Sequence, residues 1–267
     1  MATYGTVVTN ERLSPSMTRI VLGGPGLDDF ANTPFTDQYV NALFVPDGAD
    51  YAAPFDVDEA RERPAEERPR GRRLTVRRWD ETDRLLTLDI VAHGDVGFAG
   101  RWAQHATEGD ILQFLGPGGG YRPDPDADAC LLVGDESALP AIAASLEVLA
   151  PTVHAIVRVV VDSPDHEVDD LPHPDGADVR WLHRSTAATP EDVLVDSVRE
   201  LDWPNGTVDV FVHGEAGETR AVRKFLLTER GVDKSAASIS PYWRRDHTDE
   251  AWRAVKAQWI AEQDTDA

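Results

Sequence analysis

"ACLLVGDESALPAIAASLEVLA", residues 129 to 150, opens on an unbroken apolar run, turns through Gly134 to Ser137, and closes on an apolar helical pattern. An apolar run without polar alternation is the mark of a strand buried on both faces, and a helix directly after it points to a parallel sheet covered by helices. The same rhythm continues downstream. "HAIVRVVVD", "ADVRWLH" and "VDVFVHG" are further continuous apolar runs, while "TPEDVLVDSVREL" and "GETRAVRKFLLTERG" carry helical periodicity. "TDEAWRAVKAQWIAEQDTDA" is expected to close the chain as a helix, with Thr248 as its N-cap.

Upstream the pattern is different. "YGTVVTNERL" and "MTRIVLGG" flank "SPS", a hairpin signal, and are followed by "QYVNALFVP", "RRLTVRRWD", "RLLTLDIVAHG" and "GDILQFLGP", short β-branched stretches bounded by Gly, Pro and Asp. Pairing them requires an antiparallel barrel or sandwich. "DGADYAAPFDVDEARERPAEERPRG" reads as a polar loop with a short helix, and "GPGGG" at 116 to 120 as a turn. "YRPDPDADA" has the composition of a linker. The fold expected is therefore an all-β antiparallel barrel in residues 1–123 followed by an α/β domain with a parallel sheet in residues 124–267.

Composition narrows the chemistry. The chain has 267 residues, 48 acidic against 26 basic, and a formal net charge of -22, so its average field repels nucleic acid and anionic membranes. Cys130 is the single cysteine, which excludes an internal disulfide, a cysteine zinc site and an iron–sulfur cluster. The eight histidines show no metal-ligand spacing, and no metal is expected. No run approaches the length of a membrane span, and "MATYGTVVTNE" lacks the regions of a signal peptide. A cytoplasmic monomer is expected, whose redox chemistry, if any, belongs to an organic cofactor.

Three stretches could carry such a cofactor. "RRLTVRRWD", residues 72 to 80, gathers Arg72, Arg73, Arg77 and Arg78 around Thr75. Guanidinium forks match phosphate oxygens, and a threonine hydroxyl can bond a ring nitrogen. Taken alone, the stretch fits equally a charged edge strand that resists aggregation. In a regular strand Arg73, Thr75, Arg77 and Trp79 share one face, and Arg72, Leu74, Val76 and Arg78 the other. "HGDVGFAGRWAQHA", residues 93 to 106, brings Gly94, Gly97 and Gly100 before and into a helix starting near Phe98, where backbone can approach an anion. It also fits a ligand-free turn. "LLVGDESALPAIA" is the first β–α corner of the second half, the usual position of a nucleotide crevice, although its Asp135 and Glu136 would repel phosphate or cap the helix.

In their order and spacing, "RRLTVRR", "HGDVGFAGRWA", "GDESALPAIA" and "ISPYWRRDHTDEAWR" resemble the siderophore-interacting protein family of flavin-dependent ferric-siderophore reductases, from about Tyr4 to Trp252. The resemblance implies an FAD-binding barrel and a domain handling NAD(P)H, with ferredoxin as an alternative donor and a ferric siderophore as substrate. It implies a flavin motif on Arg72, Leu74, Thr75, Val76 and Arg77, the two outer arginines neutralising FAD phosphates and Thr75 near the flavin N5. His93, Gly94, Gly97, Phe98, Ala99 and Trp102 would line the same cofactor, and Asp135, Glu136 and Ser137 the nicotinamide nucleotide. Arg101, Arg244 and Arg245 are the candidate substrate contacts. Leu74 stands where relatives carry an aromatic that covers the flavin, Phe98 where a proline is usual, and Asn41 where a lysine is common. The alternatives are another flavin reductase of the same superfamily, or a non-catalytic binding protein with a decayed flavin site.

Overall fold

The structure, a computed structural model, describes residues 3–92 and 97–263. His93 and Gly94 lie outside the described residues. The chain divides into two units, Met1–Gly120 and Tyr121–Ala267.

In the first unit, β1 (Thr3–Ser14), β2 (Met17–Gly23), β3 (Tyr39–Phe44), β4 (Arg70–Asp80), β5 (Leu85–Val91) and β6 (Ile111–Gly118) form a closed barrel in the order β1-β2-β5-β4-β3-β6. Every pairing is antiparallel, and β6 closes on β1. Alternation along each strand sends one set of side chains inward. Ile20, Leu22, Val40, Leu86, Leu88 and Phe114 are fully buried in one cluster, each removing enough apolar surface from water to contribute about 1.5 to 3 kcal/mol.

The register of β4 departs from simple alternation. Val76 pairs with Leu88 and Arg78 with Thr87, so two strand residues oppose one and Arg77 sits in a β-bulge. Leu74 and Val76 point into the core, as their spacing predicts. Beyond the bulge Trp79 also turns toward it, its ring 4.8 Å from that of Phe30. Trp79 therefore does not share the face of Arg73 and Thr75. "GPGGG" is not simply a turn either: Gly116 to Gly118 complete β6, with Gly118 opposite Tyr39.

Helix α1 (Val57–Arg61) lies in the long excursion, its first amides held by the Asp56 side chain. Helix α2 (Ala99–His105) covers the barrel core, onto which Phe98, Ala99 and Trp102 pack. A Cβ on Gly100 would lie 2.9 Å from the Ala92 Cα, so this glycine serves the contact between helix and strand rather than a ligand. Asn10 fixes the helix from β1, donating from Nδ2 to the carbonyls of Ala103 (2.8 Å) and Ala106 (2.7 Å). Asn10→Ala is expected to cost about 1 to 2 kcal/mol, measurable as a lower urea midpoint; an unchanged midpoint would show that α2 is held by apolar packing alone.

The second unit is a five-stranded parallel sheet, β11-β10-β7-β8-β9, built from β7 (Ala129–Asp135), β8 (His154–Val161), β9 (Asp178–His183), β10 (Val208–Glu215) and β11 (Ala237–Trp243). Helices α3 (Leu139–Val148), α4 (Val193–Arg199), α5 (Ala216–Thr228) and α6 (Asp249–Gln263) complete it. Strand β11 is not legible as an apolar run, because an edge strand can carry Ser238, Ser240 and Pro241. Thr248 caps α6 as expected, its Oγ1 accepting from Ala251 N at 3.2 Å. Cys130 is fully buried, and burial pushes its thiol up to about 12, which leaves it inert. No described helix is long and apolar enough to cross a membrane.

Candidate functional site

Strand β4 carries the densest positive charge in the barrel, and its register decides what each arginine does. Arg72 is half-buried; its Nη1 donates to the Gly71 carbonyl at 2.9 Å and its guanidinium lies 5.2 Å from the Phe98 ring centroid, just before α2. Two of the sequence motifs are thereby brought together. Thr75 is half-buried, and its hydroxyl makes no hydrogen bond with a described residue. Arg77 is buried at the bulge with Nε 3.9 Å from Asp89, whose carboxylate also receives Arg19 at 2.7 and 2.8 Å. One carboxylate thus serves two guanidiniums. Leu74 is 9% exposed and belongs to the core cluster, so burial, not a ring-sized surface, sets its contribution.

A flavin nucleotide asks for a cation beside its phosphates, a hydrogen-bonding group near its ring, and backbone that it can approach closely. The first unit supplies all three. Arg72 is the cation, the Thr75 hydroxyl is available, and Gly97 has φ 75 with nothing within 4 Å of the point where a Cβ would stand. The residues present fit FAD. Arg101 is turned aside to an exposed ion pair with Asp47 at 2.6 Å.

The second unit places a dense ionic network at the carboxyl ends of its strands. Asp135, 1% exposed, accepts from Ser137 N (2.8 Å), Glu215 N (2.8 Å) and Trp243 Nε1 (2.7 Å), tying β7 to β10 and β11. It does not cap α3. Glu215 caps α5 instead, accepting from the amides of Gly217 and Glu218. Arg184 lies at the centre: it donates from Nε and Nη2 to Glu218 at 3.1 Å each, and its Nη1 is 3.4 Å from Glu136 and 3.2 Å from Asp162. Arg245 adds a contact to Glu218 at 3.2 Å, while the guanidinium of Arg244 pairs with no described residue.

Burial, with help from Asp135, pushes the Glu136 carboxyl up to about 7, and burial likewise raises Glu218; Arg184 opposes both shifts. Asp135 is thus committed to the unit's own bonds, whereas the buried Glu136 carboxylate has one oxygen 3.4 Å from Arg184 and the other without a hydrogen-bond partner among the described residues. Arg184 and Glu218, which no sequence motif marks, are the residues that hold this edge together. Nothing local signals them, because Arg184 meets its partners across 34 and 48 residues.

A closed antiparallel barrel with a cation-and-hydroxyl strand, joined in one chain to a helix-covered parallel sheet, defines the ferredoxin-reductase class of fold. Within that class, the chain belongs to the siderophore-interacting protein family: residues 6–121 match the siderophore-interacting FAD-binding domain and residues 127–246 the siderophore-interacting protein domain. An uncharacterized protein of Mycobacterium tuberculosis is 43% identical over 265 residues, covering 94% of this chain and 93% of that protein. The NADPH-dependent ferric-chelate reductase of Escherichia coli is 31% identical over 241 residues, covering 89% and 91%. The crystal structure of a siderophore-interacting protein from Aeromonas hydrophila superposes with a TM-score of 0.80 at 28% identity, covering 97% of each chain.

Proposed function

We propose that this chain is an FAD-dependent oxidoreductase that passes electrons from NAD(P)H to a ferric siderophore, releasing iron as Fe(II). The observation that carries the reading is the contact of the Arg72 guanidinium with the Phe98 ring, which joins two motifs on a barrel that matches a flavin-binding family domain. FAD, when bound, supplies the exchange between a two-electron hydride donor and a one-electron metal acceptor. The chain's residues need not act as acids or bases. Arg72 would balance phosphate charge, Thr75 would hydrogen-bond the ring, and the Gly97–Ala99 backbone would line the cofactor beside them.

Oxygen donors of hydroxamate and catecholate siderophores hold Fe(III) far more tightly than Fe(II), so reduction releases the metal. In the second unit the proposed nucleotide contacts are Ser137 and the backbone of the β7–α3 corner, since the Asp135 carboxylate is engaged internally and both Asp135 and Glu136 are buried. Arg244 is the arginine near the chain's end with an uncommitted side chain among the described residues. Purified protein is expected to show a flavin spectrum, bleach anaerobically with NADH or NADPH, and regain colour on adding a ferric siderophore. Bleaching without recovery would point to another acceptor, and no bleaching would remove the nicotinamide nucleotide as donor.

A further inference from the structure

At the carboxyl edge of the parallel sheet, the residue that directly follows each of three neighbouring strands is charged: Glu136 after β7, Asp162 after β8 and Arg184 after β9. Asp135 pairs with Val160 and Val161 with His183, so these strand ends lie side by side. Ser185 N donates to the Asp162 carbonyl at 2.9 Å, which fixes the turn after β8 against the turn after β9. Arg184 Nη1 stands between Asp162 Oδ1 at 3.2 Å and Glu136 Oε2 at 3.4 Å, while Nε and Nη2 both go to Glu218. Every nitrogen of this guanidinium is therefore held by a carboxylate.

Two acid oxygens in this cluster are left over. Glu136 Oε1 is buried and has no hydrogen-bond partner among the described residues, so part of its charge acts unscreened in a low-dielectric setting. Asp162 is the opposite case: its side chain is 56% exposed, and its second oxygen makes no hydrogen bond with a described residue. An open acceptor thus faces solvent with buried negative charge behind it. The cations at these strand ends are already engaged, Arg184 as above and His183 with Glu167 at 2.6 Å. Arg245 is 3.2 Å from Glu218, and Arg244 follows β11, three strand spacings from β8 and so roughly 14 Å away.

We propose that Asp162, with Glu136 behind it, makes this unit select NADH over NADPH: Asp162 accepts a hydrogen bond from the 2′-hydroxyl of the adenosine ribose, and the two acids together reject a 2′-phosphate. The inference rests on the reading that a nicotinamide nucleotide binds at the β7–α3 corner, and it names which one. The two nucleotides differ only at that ribose position. A hydroxyl can donate to a carboxylate, whereas a phosphate offers only acceptors and brings nearly two negative charges at neutral pH. In open α/β sheets the nucleotide lies outside the carboxyl ends of the strands, where an acid takes the ribose hydroxyl or an arginine accommodates the phosphate. Arg184 stands at the right end of the sheet for the second role, but its donors are occupied. The acid decides.

The test uses FAD-loaded protein and the tetrahydro forms of NADH and NADPH, which keep the adenosine half but cannot give up hydride. Calorimetry at pH 8, above the Glu136 value of about 7, is expected to show about tenfold tighter binding of the NADH form. Asp162→Asn keeps an oxygen facing Arg184 but removes the charge; it should strengthen binding of the NADPH form and bring the two within about threefold of each other. Glu136→Gln should strengthen the NADPH form and leave the NADH form unchanged. Equal binding by wild-type protein, or tighter binding of the NADPH form, overturns the inference while the nucleotide reading stands. A preference for NADH that survives Asp162→Asn, or Glu136→Gln, overturns the role given to that acid. If neither analogue binds and neither NADH nor NADPH bleaches the flavin, the nucleotide reading fails and this inference with it.

Discussion

Arg72→Ala is expected to give a folded barrel that loses its flavin on gel filtration. Arg72 is half-buried beside Phe98, where a guanidinium meets phosphate with less competition from water than at an open surface. Hydrogen bonds of this charged type contribute roughly 1.5 to 3 kcal/mol, so FAD affinity should fall about 10- to 100-fold by the same constants. Folding should be little affected, because Arg72 is half-buried and is not part of the barrel's buried apolar cluster. Arg78→Ala is the control. Its side chain is exposed and 3.9 Å from Asp80, and its loss should leave flavin content at the wild-type level. Equal flavin retention in the two variants would mean that the phosphates are held elsewhere.

The largest effect on stability is expected from Arg184→Ala. The substitution leaves Glu136 and Glu218, 3% and 2% exposed, without their central cation. Stranding buried charge in this way costs about 3 to 5 kcal/mol, which for a unit of this size lowers the melting temperature by roughly 10 °C. The deficit should depend on pH. The folded-state pKa of Glu136 lies above its unfolded value, so its stabilising term is complete below about 4.5 and is lost as pH rises through about 7. Removing Arg184 takes away an influence that lowers this pKa, so the loss extends to higher pH and becomes larger. Urea denaturation should therefore show a smaller difference between variant and wild type at pH 5.5 than at pH 8. A difference that is the same at both pH values would show that lost packing, rather than unpaired charge, sets the cost.

Much of the architecture was legible residue by residue. Short β-branched stretches bounded by Gly, Pro and Asp marked the six barrel strands, and unbroken apolar runs marked β7, β8 and β10 as covered on both faces; the run that forms β9 was read in the same way, but at the sheet edge it is only partly buried. These signals are local: a side chain's face follows from the strand period, and its burial from hydrophobicity. Edge strand β11 escaped because its burial is partial and its pattern weak. The bulge at Arg77 escaped because register is a property of two strands, and it moved Trp79 into the core and Arg77 against Asp89. The arginine cluster was visible as a source of positive charge, but not the division of labour within it.

By itself, then, the sequence determined the two folding units, the absence of cysteine-based redox centres and the strand that concentrates positive charge. Tertiary structure alone decided how each of those charges is engaged. Arg72 was set beside Phe98, Arg73 on Tyr39, Arg77 against Asp89, and Arg184 among carboxylates from distant segments. The reason is physical: a guanidinium has the same charge wherever it stands, but its capacity to bind a ligand depends on partners and solvent within a few ångströms, and those distances arise only when remote strands pair.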